Sequence, residues 1–372
     1  MKLGVNVVRL TRPFTGVGRY VECMLREWSA MKWPFDEIVL YAPAPIREDL
    51  ALVSLDRFRV EIVGSKLPDP LWEWSALKRA ARDVDVLFCP SYTLPLGYEG
   101  RCAVTYHGPA RYRGWSARAL RYGCYDRLYR YSARRADAVF ACSGVVKRRV
   151  VDVYGVPSDR VSVTYMAPSS EFAPVADAAT LAATRRHFLG SDEPFILFVG
   201  KLSDRHFIPE MLEAYAHAAR RAGLPHRLLV VGPDTLGFDV PRRARRMELA
   251  DRIVYIPFVK HADLPALYSA AESLIFPTSE EEGFGIPVLE AMACGTPVIS
   301  TNQGGIAELA SGAALLVERS SVEELSAAIE KLSGDAALRD RLRAAGLERA
   351  AGITWKRTAE KTMERLGRLA ER

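Results

Sequence analysis

No run of apolar residues in this 372-residue chain approaches the roughly 20 that cross a bilayer, so no membrane-spanning helix is expected. The opening MKLGVNVVRL is a short alternating stretch that meets arginine and proline at once, and it does not read as a secretory signal. Six cysteines occur (Cys23, Cys89, Cys102, Cys124, Cys142, Cys294), no two of them in C-x-x-C spacing. Free, buried thiols in a reducing compartment are the expectation, and with them a cytoplasmic location. There is no internal repeat beyond a likeness of the two halves, and no motif for reading nucleic acid.

What is present suits a globular protein of two domains. Hydrophobic residues make up 49% and charged residues 26%, enough to bury a sizeable core. The net charge of +6 is unevenly placed. Between Arg111 and Val150, eleven Lys or Arg face Asp126 and Asp137, a local +9 that leaves the remainder near −3. Within that stretch Arg118, Arg121, Tyr122, Tyr125 and Tyr129 fall on one helical face, and Leu120, Cys124, Leu128 and Tyr131 on another. The first face reads either as a contact for an anionic membrane surface or as a solvated arginine face with half-packed tyrosines.

The chemistry concentrates in LIFPTSEEEGFGIPVLEAMACGTPVISTNQGG, Leu274 to Gly305. Leu274 to Phe276 reads as a buried strand, Thr278 to Gly285 as a glycine-bearing loop, Pro287 to Ala293 as a helix closed by Gly295, and Pro297 to Ser300 as another strand. That order implies a parallel sheet with ligands at its carboxyl edge. Gly283 and Gly285 permit close backbone approach, and free amides around Ile286 to Leu289 would welcome a phosphate. Glu282 before this nest and Glu290 within the helix are then suited to gripping hydroxyls on either side of it, one of a sugar and one of a ribose. Taken singly, Glu282 reads equally as part of the acidic run Glu280 to Glu282, and Glu290 as a helix-start glutamate favoured by the dipole.

Taken together, EGFGIPVLEAMACGTPVIS resembles the nucleotide-contacting segment of the group 1 family of retaining glycosyltransferases. The two glutamates, with seven residues between them, stand in register with Gly283, Phe284, Gly285, Pro287, Leu289, Ala291, Gly295 and Pro297. The resemblance implies an α/β chain of the GT-B fold, with two Rossmann-like lobes whose parallel sheets face a central cleft. It implies an acceptor-side lobe over 1–168, a linker over 169–194, a nucleotide-sugar lobe over 195–353, and a C-terminal helix over 354–372 packed back on the first lobe. It also implies that Glu282 meets the donor sugar near the reacting centre and that Glu290 binds the ribose.

Further positions follow the same resemblance. TGVGRY matches the family's first glycine loop, with Gly16 and Gly18 in a turn ahead of the helix Tyr20 to Trp28. His107, delivered by the strand Arg101 to Tyr106, matches a histidine of the site, although Gly108 replaces the usual aspartate and puts acceptor contacts in question. Ser143 resembles the family's serine at another strand exit. After the strand Phe195 to Val199, Arg205 falls on one member of a basic pair and His206 takes the place of the usual lysine, with Lys201 nearby to compensate. A neutral histidine there would make donor affinity improve at mildly acid pH, unless Lys201 and His206 are simply exposed. Asp83 and Asp85 form a D-x-D, which holds a metal in single-lobed glycosyltransferases. They stand where a strand begins rather than where it ends, so they read as solvated turn residues.

The implied activity is transfer of a hexose, with retention, from GDP-mannose or a UDP-sugar to a hydroxyl of a glycan or lipid-linked acceptor. The context would be polysaccharide or glycoconjugate synthesis, the enzyme lying on the cytoplasmic face of the membrane. No metal or other cofactor is expected, because Lys201, Arg205, the amides after Gly285 and the Gly16 to Gly18 turn would hold the leaving diphosphate. An inactive sugar-nucleotide-binding partner protein is the alternative reading of Gly108 and His206. A basic nucleic-acid-binding protein is a third, but it leaves Glu282 and Glu290 unexplained.

Overall fold

The computed structural model of the chain describes residues 1–11, 16–47, 55–65, 67–108 and 117–371; within the helix Ala117–Arg135, side chains are described from Gly123 onward. The chain forms two compact units, Met1–Met166 together with Trp355–Arg372, and Ala167–Thr354. Each is built on a parallel sheet.

In the first unit seven strands, β1 (Lys2–Asn6), β2 (Glu37–Ala42), β3 (Arg59–Ile62), β4 (Val86–Cys89), β5 (Arg101–Tyr106), β6 (Ala138–Ala141) and β7 (Val161–Val163), lie in the order β3-β2-β1-β4-β5-β6-β7. All are parallel. In the second, β8 (Phe195–Val199), β9 (Arg227–Val231), β10 (Ile253–Ile256), β11 (Ser273–Phe276), β12 (Val298–Thr301) and β13 (Leu315–Val317) lie in the order β10-β9-β8-β11-β12-β13, also parallel. Continuous apolar runs such as FILFV in β8 and VLFC in β4 are what a sheet covered on both faces demands, and nearly every residue of those strands is buried. Each sheet reverses its winding once, between β1 and β4 and between β8 and β11. The crevice at the carboxyl ends beside such a reversal is where α/β sheets receive ligands.

The last helix, Trp355–Ala370, belongs to the first unit. Its Ala359, Met363 and Leu366 are buried, and the Ala359 carbonyl accepts the indole N–H of the buried Trp28 at 3.2 Å. Pro34 lies against Gly367 so closely that a Cβ there would stand 2.8 Å from it.

The stretch expected as a linker, 169–194, is instead part of the second unit and carries the helix Ala178–Leu189. Its alanines are strong helix formers, Asp177 caps the start by accepting from Thr180 N–H, and Gly190 ends it in the left-handed region at φ 74°. A helix begins at Asp69 and passes into a wider π-helical turn over Glu73–Leu77. Asp85 sits at the turn into β4, where its carboxylate accepts the Lys2 N–H. Among the described residues the only exposed cysteine is Cys124.

Candidate functional site

Two loops flank the winding reversal of the second unit. The one after β8 carries Lys201 to His206, and the one after β11 carries Thr278 to Gly285. Ser279 N–H donates to the Arg205 carbonyl (3.0 Å), which ties the loops together. Glu282 lies at their junction with only 12% of its side chain exposed, its Oε2 3.3 Å from both Arg205 Nε and His206 Nε2. Burial pushes its carboxyl up. The His206 hydrogen bond, the Arg205 and His206 charges and the Phe284 N–H together outweigh burial, and the net direction is down. Glu282 is therefore a carboxylate across the neutral range.

His206 is buried, so the reading of it as a simply exposed residue does not hold. It closes a 3-10 turn (Asp204–His206) that aims its ring inward, so that Nδ1 lies 2.8 Å from the Lys201 carbonyl and Nε2 faces Glu282. The ring is thus engaged by the Lys201 carbonyl on one side and by Glu282 on the other. The next residue, Phe207, holds φ 46°, an uncommon conformation for a bulky side chain and one that marks this loop as constrained. Lys201 and Arg205 are exposed.

The loop after β11 is shaped by close backbone approach. Gly285 precedes the helix Ile286–Ala293 at φ 89°, and a Cβ there would stand 2.0 Å from Ile306. Gly305 donates its N–H to the Glu282 carbonyl (2.8 Å), and a Cβ on it would meet the Gly283 carbonyl oxygen at 2.3 Å. No side chain caps this helix. Its free amides are fewer than expected, since Pro287 has none and Val288 and Leu289 donate to the Gly285 carbonyl at 3.0 and 3.4 Å. The Phe284 ring is core, so only its backbone is at the site. Glu290, one turn on, accepts the Tyr268 hydroxyl at 3.0 Å; burial first, and then the Glu290 charge, push that phenol well up. At the end of β10 the Phe258 ring is 75% exposed, an apolar surface that the sequence did not single out.

In the first unit, the helix expected from Tyr20 begins at Gly16 and includes both glycines of the supposed loop; Gly16 is exposed and Gly18 buried, while Thr15 lies outside the described residues. Tyr20 of that helix packs edge-on against His107 (4.6 Å), and so does Tyr92 (5.5 Å). His107 Nε2 lies 2.8 Å from the Pro90 carbonyl, so that nitrogen carries the proton and Nδ1 is left as an acceptor with no partner among the described residues. Burial above all drives its pKa down to about 4, and it stays neutral in the physiological range. Ser143 caps the helix Gly144–Tyr154, accepting from Val146 N–H at 3.2 Å.

Of the expected membrane face, Tyr129 stacks on Tyr92 (5.0 Å) and Tyr125 packs against Tyr129 (6.1 Å). The side chains of Arg118, Arg121 and Tyr122 lie outside the described residues.

Two family descriptions match the chain, "Glycosyl transferases group 1" over residues 182–349 and "Glycosyltransferase Family 4" over residues 14–167. An O-antigen chain mannosyltransferase B of Escherichia coli is 29% identical over 233 residues, 61% of this chain and 60% of that one. A D-inositol 3-phosphate glycosyltransferase of Nocardia farcinica is 31% identical over 240 residues, 62% of this chain and 52% of that one. The chain thus spans little more than half the length of these relatives. Among solved structures, sucrose-phosphate synthase from Thermosynechococcus elongatus superposes with a TM-score of 0.76 at 21% identity over 99% of this chain and 98% of the other. Anabaena HepE in complex with UDP-glucose does so with 0.76 at 17% identity over 98% and 100%. At such identities the likeness shows the GT-B fold.

Proposed function

Because the chain belongs to the group 1 glycosyltransferases, we propose that it moves a hexose, with retention, from a nucleotide-diphosphate sugar to a hydroxyl of a glycan or lipid-linked acceptor. The single observation that carries this reading is Glu282 held as a carboxylate between Arg205 and His206 at the winding reversal of the second unit. The mannosyltransferase relative and the UDP-glucose bound to HepE favour GDP-mannose or a UDP-sugar as donor.

As the anomeric carbon parts from the diphosphate, positive charge grows on the sugar and negative charge on the leaving oxygen. Lys201 and Arg205, both exposed, offer charge to the diphosphate, and Arg205 can shift part of its hold from Glu282 to the phosphate as the donor arrives. Glu282, ionised and fixed by His206, is unsuited to donating a proton. It fits orienting the sugar and countering its developing charge, while the departing phosphate receives the acceptor proton in a front-face attack. Glu290 takes the ribose, and the Phe258 ring offers the base a stacking surface. In the first unit, the neutral His107 at the exit of β5 is assigned to the acceptor side.

The test is slow hydrolysis and transfer from a panel of UDP-, GDP- and ADP-sugars, with and without a chelator. Turnover of one donor, insensitive to the chelator, is expected. Binding of a donor with no turnover would instead favour a sugar-nucleotide-binding partner protein, and loss of turnover on chelation would overturn the metal-free reading.

A further inference from the structure

The winding reversal of the first unit holds a second buried carboxyl, Glu73, which nothing in the donor chemistry uses. Its side chain is 3% exposed and lies in the π-helical turn Glu73–Leu77, an irregularity found often at functional sites. Oε1 accepts from Asn6 Nδ2 (2.9 Å) at the end of β1, and Oε2 accepts from Thr93 Oγ1 (2.8 Å) in the loop after β4. The Asn6 amide cannot flip without loss, because its Oδ1 already accepts the Val8 N–H at 3.1 Å. Glu73 thus ties both sides of the crevice to one point.

The loop it holds is Ser91–Tyr92–Thr93. Tyr92 sits at φ 67°, a conformation that costs on the order of 1–3 kcal/mol and persists only where its surroundings impose it. Its N–H donates to the Thr105 carbonyl (3.0 Å), and its ring is set against His107 and Tyr129. Beside it the buried Ser91 hydroxyl has no partner among the described residues. From these contacts we infer that Glu73 is a positioning residue for the acceptor: through Thr93 it holds the Ser91–Thr93 loop so that Tyr92 and His107 present one surface to the incoming glycan. This rests on the reading that the first unit handles the acceptor of a glycosyl transfer.

The hold depends on the proton. When Glu73 is ionised, both its oxygens accept. When it is protonated, one oxygen must donate, and Thr93 Oγ1 can receive that proton while turning its own hydrogen to the Ser91 carbonyl at 3.4 Å. The bond to the loop reverses direction, and a new one forms across Tyr92. Burial pushes the carboxyl up to about 7; the Thr93 and Asn6 bonds and then the Arg9 charge oppose this, while Asp69 on the same helix adds to it. Cys89, at the end of β4, is the other titratable group coupled to it, and its thiol is held well up by its own burial.

The experiment places tryptophan at the loop (Tyr92→Trp) and follows the fluorescence difference between this variant and the chain with Tyr92 intact from about pH 5.5 to 8.5, with Glu73 present and in Glu73→Gln. The difference removes the signal of the six native tryptophans, of which Trp72 and Trp74 flank Glu73. Acceptor KM, kcat and donor KM are measured alongside on the unlabelled chains, Glu73→Ala included, with mannose-, glucose- and galactose-terminated oligosaccharides as acceptor probes. The expected result is a fluorescence transition near neutral pH that vanishes in Glu73→Gln. Acceptor KM should rise about tenfold in Glu73→Ala, with partial rescue by Gln, while kcat at saturating acceptor and donor KM move less than about twofold. A fluorescence signal indifferent to both pH and Glu73→Gln overturns the inference, as does a parallel fall of all kinetic constants. If the unaltered chain turns over no donor, the transfer reading fails separately, and the fluorescence alone decides whether Glu73 positions the loop.

Discussion

At the scale of single residues, the proposed transfer gives the two glutamates of the second unit separable duties. On that reading Glu282→Ala removes the charge set against the reacting sugar, so kcat should fall about a hundredfold with donor KM within a few-fold. Glu290→Ala should raise donor KM with kcat nearly kept; steady-state kinetics with the active donor check both, and full activity of both variants would remove the assignment. His107 gives a pH test with a definite sign. Its folded pKa, about 4, lies below its unfolded value, so its contribution to stability is complete above about pH 6.5 and is lost as pH falls toward 4. Denaturant unfolding should show that decline, and His107→Asn should flatten it. Glu282 and Glu290 could be picked out as candidates because their spacing sits inside a dense motif. The inward turn of His206 and the contacts of Glu73 could not, since both depend on partners that are distant in the chain: Glu282 for one, Asn6 and Thr93 for the other.

At the scale of elements, the short helix Gly304–Leu309 acts as the back wall of the Glu282 loop. Gly305→Ala drives a methyl into the Gly283 carbonyl, and a shift of about 1 Å in Glu282 can cost roughly a hundredfold in rate. Gly312→Ala, at φ 75° with open space around its Cβ position, should cost only about 1–2 kcal/mol of stability and leave kcat alone. Thermal melts paired with turnover distinguish the two, and an active Gly305→Ala would show that the wall is not needed. The strand, loop, helix, strand order of this region could be read from apolar runs broken by glycine and proline. The helix Ala178–Leu189 could not be told from a linker by composition, although Asp177 and Gly190 were its start and stop signals. Nothing in the sequence pattern around Glu73 marks the wider π-helical turn.

At the scale of the whole molecule, two parallel α/β units followed from length, from repeated strand and helix signals, and from a final helix that belongs to the first unit. Among the described residues no helix is long and apolar enough to cross a membrane. The proposal that the excess positive charge between Arg111 and Val150 docks on a membrane surface predicts salt-sensitive co-sedimentation with anionic, and not neutral, vesicles; equal behaviour with both leaves that charge as a solvated face. The central claim is that the donor lies at the winding reversal of the second unit. A crystal structure of the chain with its nucleoside-diphosphate sugar tests it most directly: the diphosphate is expected against Lys201 and Arg205 with the sugar on Glu282, and a donor bound away from these three side chains would contradict the account.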